Sequence, residues 1–275
     1  MLTLLLPGLF AGLVAVGVTV AIERWGGRVG GLIGTLPSTI VPASLGLWFR
    51  AADAPAEVLA GAMHTVPAGM LLNAGFLFLW RVLPPRLPSL ALGPRLALMS
   101  FMSLAAWAVG AVGLTLSLQA GGGAGRLFGV VSTLVLVGFG ALSCLATHPS
   151  PRGSRPVGPT TLLARGLLAG LAVSVAVWLA DVGGPVAAGV ASVFPAIFLT
   201  TMVSLWLSQG EAVPAGAVGP MMLGSGAVAS YAVFAAALFP VLGPVAGACA
   251  AWVLAALTTT LPAWAWLGRR ARGGQ

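Results

Sequence analysis

Three strongly polar residues interrupt one apolar stretch, AEVLAGAMHTVPAGMLLNAG: Glu57, His64 and Asn73. Seven residues is close to two helical turns, so Glu57 and His64 share a helix face and Asn73 lies nearby. A carboxylate and an imidazole on one face can hand a proton along, because histidine titrates near neutrality. Ionisable groups are costly inside an apolar span and usually mark an ion or substrate route. Glu57 and His64 are therefore the candidate proton-coupling pair. His64 beside Met63 also suggests a metal ligand, but a lone His with no second His or Cys at ligand spacing makes no ligand set, and no metal or other cofactor is expected. Two plainer roles compete. Glu57 suits the first turn of a helix, where the dipole favours an acid. His64 suits an interfacial position bonded to a backbone carbonyl.

A second pattern sets proline beside hydroxyls. GTLPSTIVPAS carries Pro37 and Pro42, and SVFPAIFLTTMVS carries Pro195. A mid-span proline removes one helical hydrogen bond and clashes one turn back. The freed carbonyls must then be met by protein, hydroxyls or water. Ser38, Thr39, Ser44, Thr200, Thr201 and Ser204 lie close by in the sequence. The alternative is a packing kink with no further role. The predicted substrate pathway is Pro37, Ser38, Thr39, His64, Asn73, Pro195, Thr200, Thr201 and Ser225.

Other chemistries are excluded. No P-loop, GxSxG or HExxH is present, and the five acidic residues do not form a paired-carboxylate site. Catalysis is not expected. Cys144 and Cys249 stand alone in apolar segments and read as small buried hydrophobes.

These residues need elements to hold them, and composition says which. The chain is 59% hydrophobic and 7% charged with a mean hydropathy of +1.04, so it is an integral membrane protein. A spanning helix takes about 20 apolar residues. Nine segments qualify: 2–22, 29–49, 57–80, 96–119, 127–147, 162–180, 185–207, 213–239 and 243–267. The first, MLTLLLPGLFAGLVAVGVTVAIE, lacks the positive start of a cleaved signal and reads as a span.

The net charge of +8 is not a nucleic-acid footprint, because the basic residues fall in short loops. All thirteen are Arg, as a GC-rich bacterial genome favours. With nine spans, eleven of them share one side: Arg24, Arg28, Arg81, Arg86, Arg95, Arg152, Arg155, Arg165, Arg269, Arg270 and Arg272. Arg50 and Arg126 take the other. The positive-inside rule then places the N-terminus outside and the C-terminus in the cytoplasm of a bacterial inner membrane.

Residues 8–48 and 166–206 align without a gap, 158 positions apart. Gly8 falls on Gly166, Gly12 on Gly170, Glu23 on Asp181, Pro37 on Pro195 and Trp48 on Trp206. Matching continues with Gly61-Ala62 on Gly216-Ala217 and Pro85 on Pro240. Five spans separate the copies, so they would run in opposite directions. The predicted architecture is all-α and polytopic, with nine spans in an inverted 4+1+4 repeat. Residues 1–120 form the first repeat, 121–160 the linking span and cytoplasmic loop, and 161–275 the second repeat. Such symmetry is common in transporters. The GxxxG pairs at Gly8/Gly12 and Gly166/Gly170 permit close helix contact between the copies.

The second copy, from about Arg165 to Trp266, resembles the GlpM-like family of small four-helix inner-membrane proteins. The resemblance rests on Gly189-Val190-Ala191-Ser192-Val193-Phe194-Pro195-Ala196-Ile197-Phe198 and on a proline-ended helix at Phe239-Pro240. It implies an association with exopolysaccharide production and carries no catalytic residues. The overall plan is similar to that of drug/metabolite transporters, but a tenth span is lacking. The expected function is secondary transport or export of a small neutral or amphiphilic solute by alternating access. The expected lining is hydroxyls, backbone and glycine with little charge. The rival is a non-transporting membrane subunit that supports envelope polysaccharide or lipid assembly. Expected partners are a small-molecule substrate and the bilayer, without nucleic acid, and a homo-oligomer is compatible with the sequence.

Overall fold

The structure, a computed structural model, describes residues 2–25, 36–51, 54–146, 158–211 and 214–273. Among the described residues every regular element is helical. They form α1 (Leu2–Trp25), α2 (Ile40–Arg50), α3 (Pro55–Val82), α4 (Leu92–Ala120), α5 (Arg126–Ser143) and α6 (Pro159–Val182). Then come the half-helices α7a (Gly184–Ala191) and α7b (Ala196–Gln209), followed by α8 (Pro214–Leu242). The last helix is α9a (Pro244–Ala255), a π turn (Ala256–Thr260) and α9b (Leu261–Gly273).

Several starts are set by proline. Pro55, Pro159, Pro185 and Pro244 stand in first turns, where a missing N–H costs nothing. Pro240 does not end α8, contrary to the sequence expectation; the helix runs on to Leu242. The stop is Gly243, whose φ of 77° is open to glycine and whose N–H donates to the Phe239 carbonyl at 2.9 Å.

Seven of these helices are long and apolar enough to cross a membrane: α3, α4, α5, α6, α7, α8 and α9, the broken ones taken whole. The chain is therefore a polytopic membrane protein. Of the other two expected segments, α1 is a 24-residue helix. α2 is described only from Ile40, and residues 29–35 lie outside the described residues. The expected loop arginines Arg28, Arg152 and Arg155 lie outside them too.

α3 is the centre. In its spanning window 67% of residues are buried, against 50% in α8 and 28% in α4, α5 and α6. α3 packs on α8, and α5 wedges against both. The wedge depends on glycine. A methyl on Gly129 would lie 3.2 Å from the His64 carbonyl, and one on Gly140 would lie 2.6 Å from the Leu223 nitrogen.

α1 packs on α6 in the opposite sense. A Cβ on Gly8 would sit 2.6 Å from the Gly170 carbonyl, and one on Gly12 would sit 2.8 Å from the Gly166 carbonyl. The backbones approach closely, with the Ser174 side chain packed beside Gly8, as small residues at a membrane helix crossing allow.

Contacts at the helix ends fall into two groups. At one end Arg50 pairs with Asp181 at 2.7 Å, and Gln119 Nε2 donates to the Gly183 carbonyl at 2.8 Å. At the opposite ends of these helices and their neighbours, Arg95 pairs with Glu211 at 2.7 Å. There Arg81 donates to the Ser143 and Ala215 carbonyls. Glu211 thus stands in the turn before α8 as an ion-pair partner.

Candidate functional site

The site begins with two prolines. The Ser38 N–H donates to the Leu36 carbonyl at 2.8 Å, across Pro37. The Ala196 N–H donates to the Phe194 carbonyl at 2.8 Å, across Pro195. Both are three-residue turns centred on proline. They lie 158 positions apart, the same offset as the repeat. Each turn launches a helix, α2 after Pro37 and α7b after Pro195.

Several carbonyls at the break in α7 have donors. The Ser192 hydroxyl donates to the Gly189 carbonyl at 2.8 Å, and the Phe194 N–H takes the Ala191 carbonyl at 3.1 Å. The Val193 carbonyl is met from another helix, by Asn73 Nδ2 of α3 at 2.8 Å. Because a carbonyl needs a donor, this bond fixes which way the Asn73 amide faces. Its Oδ1 is then left with no protein partner, although Asn73 is only 2% exposed.

Both breaks line one cavity of about 430 Å³ between α2, α3, α6, α7 and α8. That lies within the range of small-molecule sites, ~300–1,000 Å³. Leu36, Ser38 and Thr39 come from the first break, and Phe194, Pro195 and Ala196 from the second. Met70 and Asn73 come from α3, and Gly224, Ser225 and Val228 from α8. Most of the lining is apolar.

α6 contributes Arg165, and here the sequence reading is corrected. Arg165 falls inside the expected span 162–180 and was counted with the arginine-rich side, and the lining was expected to carry little charge. Within α6 it is only 7% exposed and lines the cavity as a charged group. Its Nε donates to the Thr200 hydroxyl at 3.1 Å, and its Nη2 donates to the Thr201 hydroxyl at 3.0 Å. Thr200 can accept because its own proton goes to the Ala196 carbonyl, at 2.9 Å. A hydroxyl-rich turn on α7b thus seats a cation from α6. Nothing in the local sequence separates a buried arginine in the first turns of a span from one that reaches solvent; the Thr200-Thr201 pair was the available signal.

Of the predicted pathway residues, Ser38, Thr39, Asn73, Pro195, Thr201 and Ser225 line the cavity. Pro37 is buried in its turn beside them, and Thr200 stands behind, holding Arg165. His64 and Glu57 are not part of the lining. His64 is half-buried, with its backbone and ring against Gly129 of α5. Glu57 is exposed in the first turn of α3, the position the helix dipole favours. Asn73 is the one member of that trio that reaches the cavity.

Among the described residues no group of three or more His, Cys, Asp or Glu could hold a metal. Cys249 is exposed and Cys144 is half-buried, so neither is the fully buried hydrophobe expected. At the end of α5, burial pushes the Cys144 thiol up, with Arg81 and Arg270 pulling it back. That does not make a nucleophile.

A second cavity of about 540 Å³, between α5, α8 and α9, was missed by the sequence reading. Thr133, Ser230, Thr258 and Thr259 bring hydroxyls to an otherwise apolar wall, and Ser230 and Thr259 are bonded at 2.6 Å. It lies beside the π turn, a feature that one sequence does not announce.

Compared with protein-family models, curated proteins and solved structures, the chain matches none.

Proposed function

We propose that this chain is a secondary transporter that moves a small amphiphilic solute across a bacterial inner membrane by alternating access. One observation carries the reading: two helices begin from matching proline turns, 158 residues apart, and both turns line one cavity. Paired broken helices at a central site are how many transporters expose backbone groups to substrate without exposing them to lipid.

The wider architecture in this reading is nine spans in an inverted 4+1+4 repeat. Its best support is the α1–α6 crossing. Gly8 meets Gly170, the partner of Gly12 in the repeat, and Gly12 meets Gly166, the partner of Gly8. Contacts that exchange in this reciprocal way are what a twofold relation between two copies requires. The N-terminus is outside and the C-terminus is cytoplasmic, as the arginine distribution implies. The scattering of Glu57, His64 and Asn73 over three environments speaks against an intramembrane enzyme built on them.

The second cavity favours a second reading, the non-transporting subunit that the GlpM-like resemblance implies. A groove rich in apolar side chains at α5, α8 and α9 suits a lipid chain.

The deciding experiment is solute flux in proteoliposomes. Transport predicts uptake or counterflow of at least one amphiphilic solute, abolished by Asn73→Leu. Absence of flux for every solute under every imposed gradient overturns transport in favour of the subunit.

A further inference from the structure

We infer that the cavity between the two broken helices selects an organic anion: a small carboxylate with an apolar body and at least one O–H or N–H donor. This deepens the transport reading and rests on the same site.

Three independent features point to negative charge. Arg165, seated on Thr200 and Thr201, brings a guanidinium to the wall. Arginine in a span usually marks a functional site, and a guanidinium is a group that recognises carboxylates. Next, α2 and α7b both start at the cavity, since Thr39-Ile40 and Pro195-Ala196 are lining residues. Neither start has a side-chain cap, so the positive ends of two helix dipoles lie beside this region. Finally, among the described residues the lining holds no acidic side chain.

The rest of the wall specifies the remainder of the ligand. Asn73 lines the cavity, and its Oδ1 is buried without a protein partner. A buried acceptor left unmet costs about 1–3 kcal/mol, so a donor on the ligand is favoured there. Thr201 accepts from Arg165, which leaves its own proton available to an anion. Met70, Phe194, Ile197 and Val228 supply the apolar surface. The recognised solute therefore has one charged end, one hydrogen-bond donor and a hydrophobic middle.

The test is binding, not flux, in nanodiscs of zwitterionic lipid by titration calorimetry. The probes are 4-hydroxyphenylacetate, its neutral amide and phenylacetate. The expected result is that 4-hydroxyphenylacetate binds at least tenfold more tightly than the amide. Arg165→Gln should erase that preference, and Arg165→Lys should keep part of it. Asn73→Leu should remove the advantage of 4-hydroxyphenylacetate over phenylacetate. A second arm adds oleate to the nanodisc, and displacement of the soluble probe by oleate supports an anion drawn from the bilayer. Equal binding of acid and amide, or no binding of any carboxylate in either arm, overturns the inference. Should Arg165→Gln misfold, Thr200→Val and Thr201→Val replace it, each expected to weaken acid binding and leave amide binding unchanged. Flux of a neutral solute with no acid preference would sink this inference and leave transport standing. Acid binding without flux would do the reverse.

Discussion

At the scale of single residues, Asn73 ties the broken strand of backbone in α7 to the central helix. Asn73→Leu leaves the Val193 carbonyl without its donor, and the expected cost is about 1–3 kcal/mol, read as a lower melting temperature in detergent. His64 offers the contrasting case. It lies against α5 and off the cavity, so His64→Ala is expected to leave 4-hydroxyphenylacetate affinity within twofold of the native value. A larger loss would put the imidazole back into the binding site. Asn73 and the two prolines were legible in the sequence because polar groups and helix breakers stand out in an apolar run. Arg165 was not. Its burial depends on hydroxyls 35 and 36 positions away, and only the folded packing of α6 on α7b brings them together.

At the scale of elements, proline position alone did not reveal which helices break. α3 continues through Pro67 and α8 through Pro220, whereas α7 stops before Pro195. The difference lies in what meets the freed carbonyls. At α7 a serine of the same helix and an asparagine of another supply donors to the break. Helix lengths, by contrast, followed from apolar run length and first-turn proline. Glycine positions sort in the same physical way. A Cβ on Gly189 would fall 2.3 Å from the Ala62 carbonyl, so Gly189→Val is expected to prevent α7a from docking on α3 and to abolish the folded monomer in size-exclusion chromatography. Gly113 of α4 has open space around it, and Gly113→Ala is expected to be neutral or to stabilise by up to about 1 kcal/mol in the same thermal assay.

At the scale of the whole molecule, the end contacts divide the helix termini into two sets, and the proposed topology assigns them to opposite faces of the bilayer. A chain with Cys144 and Cys249 replaced by alanine and one new cysteine at Gln119 should react with an impermeant maleimide from the outside. The same chain with its cysteine at Pro85 should react only after permeabilisation. Labelling of both from one side contradicts the alternating passage of α4. Membrane class was legible from composition, because so few charges cannot dissolve a chain of this length. The apolar groove at α5 and α9 was not legible, because a helix with an extra residue per turn has the same hydropathy as one without.

In the proposed transport reading, α5 has a consequence for the cycle. It fills the space beside α3 with Gly129 and the space beside α8 with Gly140, and the proposed dyad gives it no counterpart. Two conformations that merely exchanged the roles of the repeats would be isoenergetic if the halves were alone. A single asymmetric ballast lifts that degeneracy. A secondary transporter of the proposed kind would then rest mainly in one conformation, and that bias would set how its states are populated.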